Sequence, residues 1–309
     1  MTDFALLNIE SSDGAAVPGI KVGDFVIGLE AALNEIDFPI SSTKELLWHW
    51  SEALPTLRQL ADRFIDNPSA FADSAWPLKD VRLLAPILYP DAIFCAFANF
   101  TDHMQEMSGR TPPDKNEVKP LHFIKLGAHC VVGPEAEVQL PSHSQKVDWE
   151  AELAAVIGRP ARNVSVEEAM DFVAGYTILN DLSLRDQGNR KDWGGRHDFM
   201  SGKSFDTGAP MGPWIVPLGQ IEDVYNLRMK QWVAGKLQQD SNSSFMHFTI
   251  AEQVADLSAK FTLRPGDVIS TGSPSGNGRP QGIFLEPGQD LTVEIEGIGT
   301  LHNSLVQGE

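Results

Sequence analysis

Residues 147–158 read VDWEAELAAVIG. An apolar run closed by glycine reads as a β-strand. Alternate side chains of a strand share a face. Glu150 and Glu152 therefore point one way, and Trp149, Ala151 and Leu153 the other. Two like charges side by side repel unless water or a cation neutralises them. Two readings stand at this point: a wet outer face carrying two glutamates, or a pair neutralised by a hard divalent cation such as Mg²⁺.

Residues 175–186, GYTILNDLSLRD, form a second apolar strand running into Asn180 and Asp181. A carboxylate just past a buried strand sits where clefts open. Two strands and three carboxylates make a facial oxygen site for Mg²⁺ or Mn²⁺; the plain alternative is Asn-Asp as turn residues. Arg185 follows four residues later, and Lys203 lies in SGKSFDTGAPMGPW. Each reads as a surface cation or, near a metal, as a holder of anionic substrate. The small-residue loop STGSPSG, 270–276, offers hydroxyls and close backbone approach, lacks the lysine of a P-loop, and taken alone is a turn. In NFTDHMQEMSG, 99–109, His103 and Glu106 are three apart, hence neighbours on a helix surface. By itself that stretch is a polar helical turn.

Around these segments the chain is rich in short strands. FALLNI (4–9) and IKVGDFVIGL (20–29) read as strands separated by the turn-forming SSDGAAVPG. A helical pattern runs from Thr43 to about Phe64, with Ser41, Ser42 or Thr43 as cap and Pro55 as the point where it splits in two. DNPSAFADSAWP reads as loop. After Asp91, Gly, Pro and β-type runs dominate. Two helices are expected there: SVEEAMDFVAGY, with Ser165 and Glu168 as a capping box and Gly175 near its end, and FTIAEQVADLSAKF. The strands do not alternate with helices as βαβ units, so an antiparallel-rich α+β architecture is expected. A boundary near 78–90 divides it into a small N-terminal domain, 1–84, and a larger domain, 85–309.

The net charge of −18 over 309 residues, with no basic patch, argues against a nucleic-acid partner. It also means that an anionic substrate needs local cations or a metal. Cys95 and Cys130 sit in apolar contexts without metal-ligand spacing, which points to reduced thiols in a cytoplasmic protein. The N-terminus lacks the layout of a signal peptide, and no apolar run approaches the ~18 residues of a membrane span.

The order of these segments resembles the fumarylacetoacetate hydrolase family. NFTDHMQEM, VDWEAELAAVIG, GYTILNDLSLRD, GKSFDTGAPMGPW and LRPGDVISTGSPSGNG are each similar to an element of that family, in the same sequence order, from about residue 85 to the C-terminus. The resemblance implies a mixed β-sandwich or β-roll behind a small N-terminal α+β domain, commonly as a homodimer. It implies Glu150, Glu152 and Asp181 as ligands of Mg²⁺ or Mn²⁺, with Ca²⁺ able to replace them in crystals. It implies His103 and Glu106 as a dyad on a short lid helix and Lys203 as a catalytic lysine beside the metal. Arg185 and Ser273 fall at substrate-binding positions, the arginine having a structural role as its alternative. The sequence departs from the family where many members carry a substrate-touching glutamine: Gly188 stands there, with Gln187 one residue earlier as the candidate replacement. Phe100 stands where a tyrosine is usual, and the 108–120 stretch is long.

The family's substrates are 1,3-diketo or 2-oxo acids. The expected activity is metal-dependent C–C hydrolysis of an acylpyruvate, with His103 activating water and Glu106 orienting it. The alternative is decarboxylation, isomerisation or hydration of a 2-oxo acid at the same site. A non-catalytic scaffold is the third possibility.

Overall fold

The structure is a computed structural model and describes residues 2–29, 40–109 and 111–309. Its centre is the pair of strands read first from sequence. Ala151–Ile157 runs antiparallel to Val173–Asn180, with Ala151 opposite Asn180 and Ala155 opposite Tyr176. Beyond the first of these lie Val268–Ser270, antiparallel, then Ile93–Ala96, parallel, and His122–Lys125. On the other side Val173–Asn180 pairs with Ala209–Pro217. These strands belong to one mixed 12-stranded sheet. A second sheet of five strands runs in the order Lys236–Asn242, Arg228–Val233, Asp290–Ile295, Gly299–Gln307, Glu137–Leu140.

The central strand is buried on both faces, which is why it reads as an apolar run rather than an alternation. Leu153, Ala155 and Ile157 pack toward Met229, Val293, Ile295 and Leu301 of the second sheet. Ala154 and Val156 pack toward a core that contains Leu6, Ile20, Leu46, Leu57 and Ile215. The molecule is therefore a β-rich α+β sandwich with N-terminal helices over its outer face. The main sheet continues across the expected boundary: Ala5–Glu10 pairs with Ala209–Pro217 at Leu6 and Ile215.

Several local expectations are corrected. The helical pattern after Thr43 divides at His49, into Thr43–Trp48 and Trp50–Asp66, and Pro55 lies inside the second helix. Pro55 and Ser51, whose carbonyl loses its helical partner, are both exposed, so water replaces that bond. Ser42 is the cap, accepting from the Glu45 amide. The second N-terminal strand starts earlier than expected, at Ala16, and the 20–29 run is split at Gly23 into Ala16–Val22 and Phe25–Gly28. The DNPSAFADSAWP stretch, 66–77, contains a 3₁₀ turn, Pro68–Phe71, and the edge strand Ala75–Pro77. Of the helices expected after Asp91, Ile250–Lys260 forms with a Thr249–Glu252 capping box. The other does not. The Glu168 amide donates to Ser165 Oγ as in a capping box, but the Glu168 carboxylate accepts from the Ser165 hydroxyl, and only a 3₁₀ turn, Ala169–Phe172, follows before the chain enters the Val173–Asn180 strand.

Gly175 is thus a strand residue, not a helix terminus. A Cβ there would run into the Val216 carbonyl oxygen of the neighbouring strand. Gly175→Ala is expected to lower unfolding free energy by about 3 kcal/mol through overpacking, read as a fall in the urea midpoint.

Candidate metal centre and active site

Glu150 immediately precedes the central strand and Glu152 is its second residue, while Asp181 follows the end of the paired strand. The register between Ala151 and Asn180 makes these three neighbours, and two bonds fix the corner. The Asp181 amide donates to the Glu150 carbonyl at 2.9 Å, and the Glu150 amide donates to Asn180 Oδ1 at 3.0 Å. One carboxylate oxygen from each of Glu150, Glu152 and Asp181 lies within 4.8 Å of the others. Their exposures of 7%, 1% and 1% remove the wet-face reading.

Buried cations offset most of this charge. Lys203, at the end of the short Phe199–Lys203 helix, donates to Glu150 and, at 2.6 Å, to Asp181 Oδ2. Lys125, fully buried, donates to Asp181 Oδ1 at 2.7 Å and to the Leu182 carbonyl at 2.8 Å. Arg185 bridges Asp148 Oδ2 at 2.7 Å and Glu150 Oε1 at 2.5 Å. Among the described residues no lysine or arginine pairs with Glu152; its Oε2 accepts from Ser270 Oγ at 2.5 Å and the Gly272 amide at 2.9 Å.

The environments push the two glutamates apart. Burial raises the Glu152 carboxyl well above its ordinary value, and the charges of Asp181 and Glu150 add to this. Burial acts on Glu150 too, but Lys203 and Arg185 outweigh it and hold that carboxyl below its ordinary value. Burial opposes the charge of Lys203, yet Asp181 and Glu150 keep its ammonium more firmly protonated than usual.

This donor set fits a hard divalent cation. The three candidate ligands are carboxylate oxygens, the preference of Mg²⁺ and Mn²⁺. Added positive charge would also compensate the carboxyl that the protein's own cations leave uncompensated.

The Thr101–Ser108 helix carries the dyad across the cavity from the cluster. His103 Nδ1 lies 3.2 Å from Glu106 Oε2. Glu106 Oε1 accepts from the Gly276 amide at 3.0 Å. Asp102 accepts from the His103 amide at 2.8 Å, from Ser241 Oγ at 2.7 Å and from Ser275 Oγ at 2.9 Å. The helix is thereby tied to the 270–276 loop at two points. One cavity of about 150 Å³ is lined by His103, Glu150, Glu152, Arg185, Lys203 and Ser273, among others. Ser273 Oγ accepts from Gln239 Nε2 at 3.0 Å.

Gln187 is the exception. Its Nε2 donates to the His143 carbonyl at 2.8 Å, and it lines a separate surface groove with Glu137, His143 and Glu309. The turn after Ser183–Leu184 carries it away from the carboxylates, so the expected replacement for the family glutamine does not join the site. Arg185 stands at the cavity wall, with its guanidinium engaged by Asp148 and Glu150.

Sequence reading missed Lys125, Asp148 and Gln239. Lys125 left a signal: in HFIK it falls on the same strand face as buried Phe123. Asp148 was visible beside Glu150, but its partners Arg185 and the Gly278 amide come from distant loops. Gln239 gave none.

Comparison with known proteins places these features among relatives. The family model described as fumarylacetoacetate (FAA) hydrolase C-terminal matches residues 92–306. Oxaloacetate tautomerase FAHD2B, mitochondrial, of Homo sapiens is 36% identical over 267 residues, covering 82% of this chain and 81% of that protein. The crystal structure of 5-carboxymethyl-2-hydroxymuconate delta-isomerase from Mycobacterium smegmatis is 33% identical, with TM-score 0.71 over 98% of this chain and 99% of that one. Maleylpyruvate hydrolase from Sphingobium sp. SYK-6, solved with manganese(II) and pyruvate, is 26% identical, with TM-score 0.76 over 99% and 100% of the two chains.

Proposed function

The chain belongs to the fumarylacetoacetate hydrolase family, and on that premise we propose that it is a divalent-metal-dependent enzyme that moves a proton next to the carbonyl of a 2-oxo acid, as a tautomerase or isomerase. The observation that carries this is His103, paired with Glu106, lining one cavity with Glu150 and Glu152, whose buried carboxylates cluster with Asp181. Hydrolysis of an acylpyruvate, the leading expectation from sequence, becomes the second reading. The tautomerase relative is 36% identical and the hydrolase 26%, which favours the first.

Glu150, Glu152 and Asp181 would hold Mg²⁺ or Mn²⁺. When bound, such an ion supplies Lewis-acid polarisation and positive charge for a substrate oxygen. Glu106 accepts from His103 Nδ1, which fixes the ring and leaves Nε2 as the basic nitrogen. His103 then takes a proton from the enol hydroxyl, or from the carbon beside the carbonyl, and returns it at the other position. No water is consumed. In the second reading the same nitrogen deprotonates a water. Lys203 holds Glu150 and Asp181 in place and presents positive charge at the cavity wall. Ser273, oriented by Gln239, offers a hydroxyl to the substrate.

The proposal extends to organisation. Residues 85–309 carry the catalytic fold and 1–84 support it, the working unit is a homodimer, and the setting is cytoplasmic. Among the described residues no helix is long and apolar enough to cross a membrane.

Two assays with Mg²⁺ decide the chemistry. Enol-oxaloacetate ketonisation, followed by ultraviolet absorbance, is expected to accelerate by at least about a hundredfold, while acetylpyruvate releases no pyruvate. Pyruvate release without ketonisation would favour the hydrolase. Neither activity would return the protein to the scaffold reading.

A further inference from the structure

The cavity at the carboxylates has two arms. The first, of about 150 Å³, reaches His103, Glu150, Glu152 and Ser273. The second, of about 140 Å³, runs past Gly188, His197, Asp198, Phe199 and Gly202. Phe97, Arg185, Lys203 and Arg279 line both, so the arms meet there.

Three cations stand at the junction, and they are not equivalent. Arg185 is engaged by Asp148 and Glu150, and Lys203 by Glu150 and Asp181. Arg279 is exposed, and among the described residues its guanidinium has no carboxylate partner. Its backbone is nonetheless held: Asp148, the carboxylate that holds Arg185, accepts from the Gly278 amide at 2.7 Å and the Arg279 amide at 3.2 Å. An uncommitted guanidinium is thus anchored beside the reacting groups.

The second arm suits an apolar or planar tail. Phe97 and Phe199 meet edge to face at 5.8 Å, and His197 stacks on Phe199 at 5.9 Å. Gly188 and Gly202 contribute no side chain. The carboxylate of the arm, Asp198, accepts from the Ser201 amide and hydroxyl and pairs with Arg190. Arg279 therefore supplies the arm with an uncommitted positive charge.

The geometry points to Arg279 as the residue that binds a second carboxylate of the substrate: the 2-oxo acid end occupies the first arm, and a tail along the second arm's rings returns an anionic end to the guanidinium. The inference rests on the carboxylate cluster being a metal site for 2-oxo acids. In a protein of net charge −18 a diacid needs such a group, and a guanidinium can meet a carboxylate through two parallel bonds.

The test is calorimetric binding to the full-length, Mn²⁺-loaded protein, with three probes. Oxalate reports the metal end alone; 2-oxoadipate and 2-oxohexanoate share chain length and differ in the far carboxylate. The parent is expected to bind 2-oxoadipate at least roughly tenfold more tightly than 2-oxohexanoate. Arg279→Met should erase that preference and leave oxalate affinity unchanged, while Arg279→Lys should retain part of it. Equal affinity for the two acids in the parent, or a preference that survives Arg279→Met, would overturn the inference while oxalate binding leaves the metal-site reading intact. Failure of oxalate to bind would overturn both.

Discussion

Glu152→Gln is expected to fold like the parent and to weaken divalent-metal binding by more than about a hundredfold, since losing even an outer partner of a metal ligand costs 10- to 100-fold. The amide is nearly isosteric with the protonated acid that burial favours, and its oxygen can keep the bonds from Ser270 Oγ and the Gly272 amide. The pH dependence supplies a second readout. In the metal-free parent, folded Glu152 holds its proton above the ordinary 4.5 at which the unfolded chain releases it. Between those two values the folded state binds more protons, so this residue's contribution to stability falls as pH rises. Glu150 has the opposite sign: its contribution is present above its ordinary 4.5 and is lost as pH falls below it. Thermal melts without metal should show this decline as pH rises above 4.5 in the parent and a weaker one in Glu152→Gln. An unchanged slope, or undiminished Mn²⁺ affinity, would remove Glu152 from the metal centre.

His103→Ala separates chemistry from binding. The side chain lies on the Thr101–Ser108 helix, whose side-chain bonds to Ser241, Ser275 and Gly276 run through Asp102 and Glu106 rather than through His103. The variant should therefore bind Mn²⁺ and oxalate as the parent does while kcat falls by about 10²- to 10⁴-fold, the range for a positioned general base. Loss of metal binding together with activity would show that His103 serves the metal centre rather than the proton.

The carboxylate cluster was legible in sequence because strand periodicity is local. Two apolar runs with carboxylates at 150, 152 and 181 needed only antiparallel pairing to converge. What sequence could not reveal is how that charge is balanced. Lys125, Lys203 and Arg185 reach the cluster from separate segments, so their pairing depends on packing. The misread helix at Ser165 shows a different limit. The bond from the Glu168 amide to Ser165 Oγ is real, but the following residues gain more by filling the centre of a sheet than by extending a helix. Gln187 was placed by analogy with a neighbouring position, and a one-residue offset in a turn sends its side chain to a different groove.

The central claim is that Glu150, Glu152 and Asp181 together hold one divalent ion that serves a 2-oxo acid. Anomalous diffraction from a crystal grown with Mn²⁺ and oxalate tests it most directly. The expected result is a single manganese peak in contact with all three carboxylates, with oxalate beside it and His103 facing the oxalate. A crystal containing both additives in which Lys203 still bridges Glu150 and Asp181, with no manganese between the carboxylates, would contradict it.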